Sequence, residues 1–225
     1  MSIFDNMFLE ESISGLTPEL KAISVYNIFL KNNKNIIVVA NSLYEANMFY
    51  QRLLNYTKKV LFFPMDDFLT STALAISPEL EVTRLETINT LLKNDLNIVV
   101  TNLMGYLRFL PTKIQYEESK IIFHTGEEVN REKIIEKLSE IGYKRETIVT
   151  KTGEMAIRGY VIDIFPISKN HPIRIELWGD EIESIRYFDE NTQLTLDQIN
   201  DIVIFPCTEF LINQQLDQYH YYDIA

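Results

Sequence analysis

Residues 153–166 read GEMAIRGYVIDIFP, and residues 172–190 read PIRIELWGDEIESIRYFDE. β-Branched and aromatic residues fill both stretches, and Gly, Pro, Asn and Asp bound them, which is typical of strands joined by turns. Basic and aromatic side chains recur along these strands although the protein as a whole is acidic. No reaction calls for that pattern, whereas a protein-docking surface does.

Three extended runs are predicted here, namely 158–165, 172–178 and 182–188, with a turn signal at Gly179-Asp180. Apolar and polar residues alternate along the second run, and a strand directs successive side chains to opposite faces. One face then carries Ile173, Ile175 and Leu177. The other face carries Arg174, Glu176 and Trp178. Since the aliphatic face must form the core, we expect Arg174 and Trp178 to point outward.

An outward tryptophan is unusual, because burying a large apolar side chain is favourable by roughly 1.5–3 kcal/mol. Trp and Arg are also the residue types enriched at the energetic centres of protein interfaces. The alternative is that another part of the chain covers Trp178 and that Arg174 pairs with Glu176 or Asp180. Composition alone leaves both interpretations open.

Arg158 poses a separate question of orientation. If 158–165 is one strand, parity places Arg158 on the same face as Ile162 and Ile164. It points to the surface only if the strand ends there or if Gly159 forms a bulge.

Composition excludes several classes of protein. The chain has 225 residues, enough for one large or two small domains with their own cores. A formal net charge of −11 argues against a duplex-binding surface as the main function, because phosphate contacts need clustered Lys and Arg. A single cysteine, Cys207, excludes an intrachain disulfide and fits a reducing compartment. No metal site is expected, since the histidines lack ligand partners at metal-site spacing: His124, His171 and His220.

No targeting or membrane segment is predicted. Residues 1–12 contain acids and lack the basic start of a signal peptide. No apolar run approaches the roughly 20 residues that a membrane helix needs. The expected location is the cytoplasm, with no membrane partner.

Helix and strand alternate in the first half of the chain. Helices are expected to start at Thr17-Pro18, at Ser42 with Glu45 completing a capping box, and at Ser77-Pro78. The first ends near Lys31 and the last near Lys93. Apolar strands are expected at 35–40, 60–63 and 97–101, with a loop at 64–76. Short apolar strands between helices predict a parallel sheet covered on both faces.

Near residue 117 the pattern changes to that of an α+β unit. A strand is predicted at 120–124 and a helix at 130–142, and the segment is then rich in strands to about residue 206. Residues 209–225 have the composition of a further helical element that stops without a cap. We therefore expect the sequence to be part of a longer protein.

Residues 15–22 match the phosphate-binding loop only in part, either by chance or as a defective loop, and ATP binding there is not expected. The loop's pattern is G-x-x-x-x-G-K-[ST], and GLTPELKA at 15–22 keeps only the first glycine, Gly15, and the lysine, Lys21. Ala22 offers no hydroxyl for Mg²⁺, and Pro18 removes a backbone N–H from the cradle. No nucleophile with a partnered base is evident elsewhere, so catalysis is not expected.

Several segments together resemble a known family: FPMDDF at 63–68, SPE at 77–79, TNLMG at 101–105, RGYVIDIFP at 158–166 and IELWGDEIESI at 175–185. They closely resemble the N-terminal region of bacterial transcription-repair coupling factors (Mfd). The resemblance extends over about residues 12–210 and is most specific over 153–190.

The resemblance implies an α/β fold in which a degenerate helicase-like parallel-sheet domain, similar to that of the repair protein UvrB, is interrupted by a small α+β domain. The implied bounds are 1–117 for the degenerate nucleotide-binding-like domain, 118–208 for the inserted UvrA-binding domain and 209–225 for the start of the following helical part. Gly15 and Lys21 would then be remnants of a loop that no longer binds ATP. The fragment itself would need no cofactor.

The resemblance also implies which residues contact UvrA. An arginine in the R-G-x-x-x-D-x-F-P strand, an arginine in the next P-x-R strand and an aromatic four residues on map to Arg158, Arg174 and Trp178. Trp178 departs from the more usual Phe but keeps a stacking surface. UvrB itself would need an intact phosphate loop and a longer damage-probing hairpin than the 64–76 segment allows.

The expected function is that of a protein-interaction module that recruits UvrA in transcription-coupled nucleotide excision repair. The full-length parent would be an ATP- and Mg²⁺-dependent DNA translocase that displaces stalled RNA polymerase through later domains, which also contact duplex DNA. A further alternative, compatible with this function, is self-inhibition, in which the sheet face packs on a later domain of that parent. The alternative is an autonomous UvrB-like domain that binds damaged DNA or ATP.

Overall fold

A computed structural model describes residues 14–67, 77–93, 95–167 and 169–211. The chain divides into two compact units, residues 1–109 and 110–225. This division falls within the first domain predicted from sequence. The predicted bounds at 117 and 208 and the insertion of one domain into the other stay predictions.

The first unit alternates helices and strands, as predicted. Its elements are α1 (Pro18–Asn32), β1 (Ile36–Ala40), α2 (Leu43–Leu54), β2 (Val60–Phe63), α3 (Pro78–Leu91), β3 (Ile98–Asn102) and α4 (Leu103–Tyr106). The strands form a parallel sheet in the order β1-β3-β2. Helices α1 and α2 pack their apolar faces against one side of this sheet, around Ala22, Ala46 and Leu53.

Side-chain caps explain where the first helices begin. The Thr17 hydroxyl accepts a hydrogen bond from the Leu20 N–H (3.3 Å), and the Ser42 hydroxyl accepts one from the Glu45 N–H (3.2 Å). Each satisfies one of the backbone donors that a helix start leaves unpaired. The Glu45 carboxylate accepts from the Asn41 N–H rather than from the Ser42 N–H. The predicted capping box is therefore shifted by one residue in its second hydrogen bond.

The prediction of a sheet covered on both faces is wrong at its edge. On β1, the side chains of Ile37 and Val39 are 60% and 42% exposed within the described part of the chain. The opposite face of β1 packs into the core through Ile36 and Val38. Strand β1 is exposed because it lies at one edge of the sheet, whereas helix α3 lies against β2 at the other edge. There the Thr87 hydroxyl donates to the Phe62 carbonyl (2.6 Å).

The second unit is α+β, as predicted. Its elements are α5 (Lys113–Ser119), β4 (Ile121–His124), α6 (Arg131–Glu140), β5 (Lys144–Arg145), β6 (Glu154–Arg158), β7 (Val161–Ile164), β8 (Ile173–Trp178), β9 (Glu181–Phe188), β10 (Thr195–Ile199) and β11 (Asp201–Ile204). Six strands form one sheet in the order β10-β9-β8-β7-β6-β5, and β11 pairs with β4. The main core lies between this sheet, α6 and the β4–β11 pair.

The predicted strand over 158–165 is wrong. The chain turns at Gly159-Tyr160, so that β6 ends at Arg158 and β7 begins at Val161, directly opposite it. Gly159 has φ +58° at the first turn position, where a II′ hairpin requires positive φ. A Cβ there would meet nothing within 4 Å, so backbone conformation rather than space favours glycine.

Two predicted segments lie largely outside the described residues. They are most of the 64–76 loop and residues 212–225 of the last predicted helical element. Among the helices that the structure describes, none is both long and apolar enough to cross a membrane.

Leu138 offers a test of the second core. Its side chain is fully buried on α6, so Leu138→Ala should lower the free energy of unfolding by about 2–5 kcal/mol. Urea denaturation followed by far-UV circular dichroism measures the change. Exposed Lys137 on the same helix is the matched control, and Lys137→Ala should stay within about 0.5 kcal/mol. Equal effects of the two changes would contradict this assignment of the core.

Candidate functional site

The polar face of the six-stranded sheet holds all three predicted contact residues. Strand pairing places Ala156, Asp163, Arg174 and Arg186 in one row across four strands. A second row holds Arg158, Val161, Glu176 and Ser184. Trp178 follows Glu176 by two residues on β8 and so shares its face.

The turn at Gly159 determines the face of the sheet to which Arg158 points. Because Arg158 ends β6, its parity is counted with Ala156, and Ala156 lies opposite Asp163. Arg158 therefore points to the face of Asp163 and Arg174, and not to the face of Ile162. We call Arg158, Arg174 and Trp178 the basic–aromatic patch.

Asp163 joins the two arginines of the basic–aromatic patch. Its side chain is 1% exposed. Arg174 binds it in a bidentate manner, with Nε donating to Oδ1 (2.7 Å) and Nη2 donating to Oδ2 (2.9 Å). Arg158 Nη2 donates to the same Oδ2 (2.5 Å). Two cations thus neutralise one buried carboxylate, which burial would otherwise penalise heavily.

A second ion pair keeps neighbouring arginines apart. Arg174 and Arg186 lie directly opposite each other on β8 and β9, and like charges in that relation repel. Asp163 on β7 binds Arg174, whereas Glu176 binds Arg186 through Oε1 and Nη2. Each arginine is therefore drawn to a different carboxylate. The alternative that Arg174 pairs with Glu176 or Asp180 is wrong.

Two further contacts hold Arg174. Its Nη2 also donates to the Gln193 side-chain carbonyl (3.0 Å), and its guanidinium carbon lies 4.4 Å from the centroid of the buried Phe188 ring. A cation at that distance over an aromatic face is attracted by the ring quadrupole. Hydrogen bonding to Asp163 raises the pKa of Arg174 above its ordinary value. Arg174 is consequently an ordered, permanently charged group with a side chain 15% exposed.

Trp178 is exposed, so the alternative that another described part of the chain covers it is wrong. The residue is 78% exposed at the end of β8. The Gly179-Asp180 turn follows it at once, and Gly179 has φ +64°. Tyr160, on the neighbouring turn, is 63% exposed, and its carbonyl accepts the Leu177 N–H (2.9 Å). Two aromatic side chains therefore stand at the same end of the sheet.

Sequence reasoning did not assign roles to Asp163, Gln193, Phe188 or Tyr160. Asp163 stood inside a recognised motif, yet only strand pairing shows that it faces both arginines. Gln193 reaches Arg174 from the loop after β9, where its φ is +62°. No local signal in the sequence identifies that contact.

The fold brings His171 close to two acids that are distant from it in sequence. The Phe188 N–H donates to the Pro172 carbonyl (3.1 Å), and His171 lies beside Asp189 and Glu190. The ring nitrogen and carboxylate oxygens of these three residues, which are potential metal ligands, lie within 4.8 Å of one another. His171 Nδ1 lies 3.4 Å from a Glu190 oxygen. Asp189 Oδ1 accepts from the N–H and hydroxyl of Thr192, and the backbone bond is the main cause that lowers the pKa of Asp189. These hydrogen bonds account for the turn that carries Gln193.

The two residues that fit the phosphate-loop pattern, Gly15 and Lys21, lie near the start of α1. Gly15 has φ +77°, with nothing within 4 Å of a Cβ placed there. Lys21 is exposed and lines a cleft of about 660 Å³ together with Leu16 and Arg52. The helix begins at Pro18, and the Thr17 hydroxyl already occupies the Leu20 N–H.

The exposure of Trp178 can be tested by fluorescence, because it is the single tryptophan of the chain. We expect emission close to that of tryptophan in water and strong quenching by acrylamide, since the residue is 78% exposed. Unfolding the chain in urea should increase the quenching only slightly. Blue-shifted emission with weak quenching in the native protein would contradict the described position of the ring.

Comparison with known proteins finds similarity to one group of long proteins. The profile of the UvrB interaction domain matches residues 121–210. A transcription-repair-coupling factor of Staphylococcus epidermidis is 31% identical over 96% of this chain, and that of Bacillus subtilis is 30% identical over 92%. The chain spans only 19% and 18% of the length of these two relatives. Over most of its length the chain is therefore similar to one part of the transcription-repair-coupling factors, and residues 121–210 match the UvrB interaction domain.

Proposed function

We propose that this chain recruits UvrA through the basic–aromatic patch. The observation that carries the proposal is the placement of exposed Trp178 on the same sheet face as two arginines fixed by one buried carboxylate. The match of residues 121–210 to the UvrB interaction domain supports it. The strand spacing gives the patch dimensions of roughly 13 Å along β8 and 10 Å across the strands.

The chemistry of the patch defines what UvrA must offer. Arg guanidinium groups form charge-assisted, often bidentate bonds to carboxylates, so acidic side chains are the matching groups. The indole of Trp178 fits an apolar pocket, which would remove the exposed ring from water. Since the chain carries a net charge of −11, only a local basic patch can attract such a surface.

The relatives of this chain are much longer proteins, of which it spans 19% and 18%. We infer that the region represented here acts as the docking part, and that ATP-driven translocation on DNA and displacement of RNA polymerase belong to other regions of those proteins. The first unit would be a helicase-like domain that has lost nucleotide binding. A later domain that covers the patch would regulate access to UvrA.

Single substitutions in the patch test the proposal. Arg158→Ala and Trp178→Ala should each weaken binding to UvrA by at least about 2 kcal/mol, or roughly 30-fold. Arg174→Ala should be at least as damaging, because it also leaves Asp163 with one cation fewer. Surface plasmon resonance with immobilised UvrA measures the affinities, and circular dichroism verifies that each variant is folded.

Arg145 supplies the matched control for these variants. It is an exposed arginine on the edge strand β5, where it lies opposite Met155 of β6 and not opposite a residue of the patch, so Arg145→Ala changes the net charge equally. Its affinity should stay within about twofold of the wild type. The proposal fails if folded Arg158 and Trp178 variants bind UvrA as the Arg145 variant does.

Nucleotide binding by the first unit is the competing function, and the cleft beside Lys21 makes it worth testing. We expect no rise in melting temperature with Mg-ATP, because Pro18 lacks an N–H, Thr17 caps the helix and Ala22 has no hydroxyl. A true ligand at 100 times its dissociation constant would add about 2.7 kcal/mol. A reproducible rise that Mg²⁺ alone does not give would restore the nucleotide-binding alternative.

A further inference from the structure

We propose that Asp163 is a positioning residue, which holds the Arg158 and Arg174 guanidinium groups in the arrangement that the partner's carboxylates meet. The inference rests on the proposed function, and adds to it a residue that does not touch the partner. At 1% exposure, the Asp163 carboxylate lies beneath the surface that a partner could reach.

On each guanidinium, the N–H groups that bond Asp163 form a held edge, and the N–H groups without a hydrogen bond form an open edge. Asp163 takes Nε and Nη2 of Arg174 and Nη2 of Arg158. Within the described part of the chain, Nη1 of Arg174 and both Nε and Nη1 of Arg158 form no hydrogen bond. The open edges of both arginines are therefore the donors that remain for carboxylates from outside.

Without the Asp163 charge, both arginines would lose their common anchor. Arg174 would lie opposite Arg186 with no acid on β7 to draw it away. Arg158 has a side chain 45% exposed and no other described partner, so it would regain its rotamers. Fixing long side chains before association removes an entropic cost of binding, which is the benefit of preorganisation.

Asp163 could act in the opposite sense, as an internal competitor that occupies the arginines. A competitor would have to be displaced before the partner binds, and its removal would tighten the complex. The geometry favours positioning, because Asp163 bonds only part of each guanidinium and leaves the outer edges open. The two roles predict changes of opposite sign, so one substitution decides between them.

Asp163→Asn is the direct test, since it keeps the shape and removes the charge. We expect binding to immobilised UvrA to weaken at least about tenfold, with most of the wild-type secondary structure retained. Glu146→Gln is the charge-matched control: this exposed acid of the same unit lies just after β5, and its loss should change affinity less than twofold. Wild-type or tighter affinity in a folded Asp163→Asn protein overturns the proposal.

Gln193→Ala provides a second variant outside the buried row, in case Asp163→Asn does not fold. It removes one acceptor from Arg174 Nη2 and leaves Asp163 in place. A smaller loss of affinity, about threefold, is expected. An unchanged affinity for Gln193→Ala, with Asp163→Asn unfolded, would count against positioning.

A readout in the free protein separates this inference from the proposed function. The Arg174 Nε–H, bonded to Asp163 in the wild type, should give a resolved, slowly exchanging signal in ¹⁵N-edited NMR spectra. Asp163→Asn should abolish that signal, whereas Glu146→Gln should retain it. If the wild type fails to bind UvrA, the proposed function fails, but the NMR comparison still decides whether Asp163 orders the arginines. A retained signal in Asp163→Asn overturns the positioning role.

Discussion

The second unit depends on one electrostatic constraint, the burial of the Asp163 carboxylate. A charged group that is 1% exposed needs compensating partners, and Arg158 and Arg174 supply them from the two strands that flank β7. The tight turn at Gly159 reverses the chain, so that Asp163 on β7 lies near Arg158 at the end of β6. The pairing of β7 with β8 places Arg174 opposite Asp163. The same ion cluster that satisfies the buried acid thus presents two cations to solvent.

The two faces of the six-stranded sheet serve different ends. Ile162, Ile175 and Ile185 fill the face that packs against α6 and supplies the apolar burial. The other face holds charges in alternating pairs, Asp163 with Arg174 and Glu176 with Arg186, so few of them stay uncompensated. The charged face is thus backed by a sheet whose opposite face is packed into the core.

Sequence periodicity predicted the elements whose faces are cleanly divided, such as β8 and α6, and it predicted that Trp178 points outward. It left the orientation of Arg158 open because apolar residues continue on both sides of a two-residue turn, and only backbone conformation at Gly159 reveals the reversal. The contacts of Asp163 and Gln193 depend on strand register and on a loop returning over β8, which local composition does not encode. The exposed face of β1 escaped prediction because a buried strand and an edge strand have similar composition.

The antiparallel pairing of β4 with β11 has a consequence for the modularity of the second unit. Ile121 lies opposite Ile204, so the path that enters this sheet-and-helix body and the path that leaves it run side by side. Just outside that strand pair, the Tyr116 hydroxyl donates to the Thr208 carbonyl (2.9 Å) and so links the two chain segments. When the two ends of such a body are adjacent, it can be inserted into a loop of another domain, because the insertion separates the two flanking residues of that domain by only about the width of two strands.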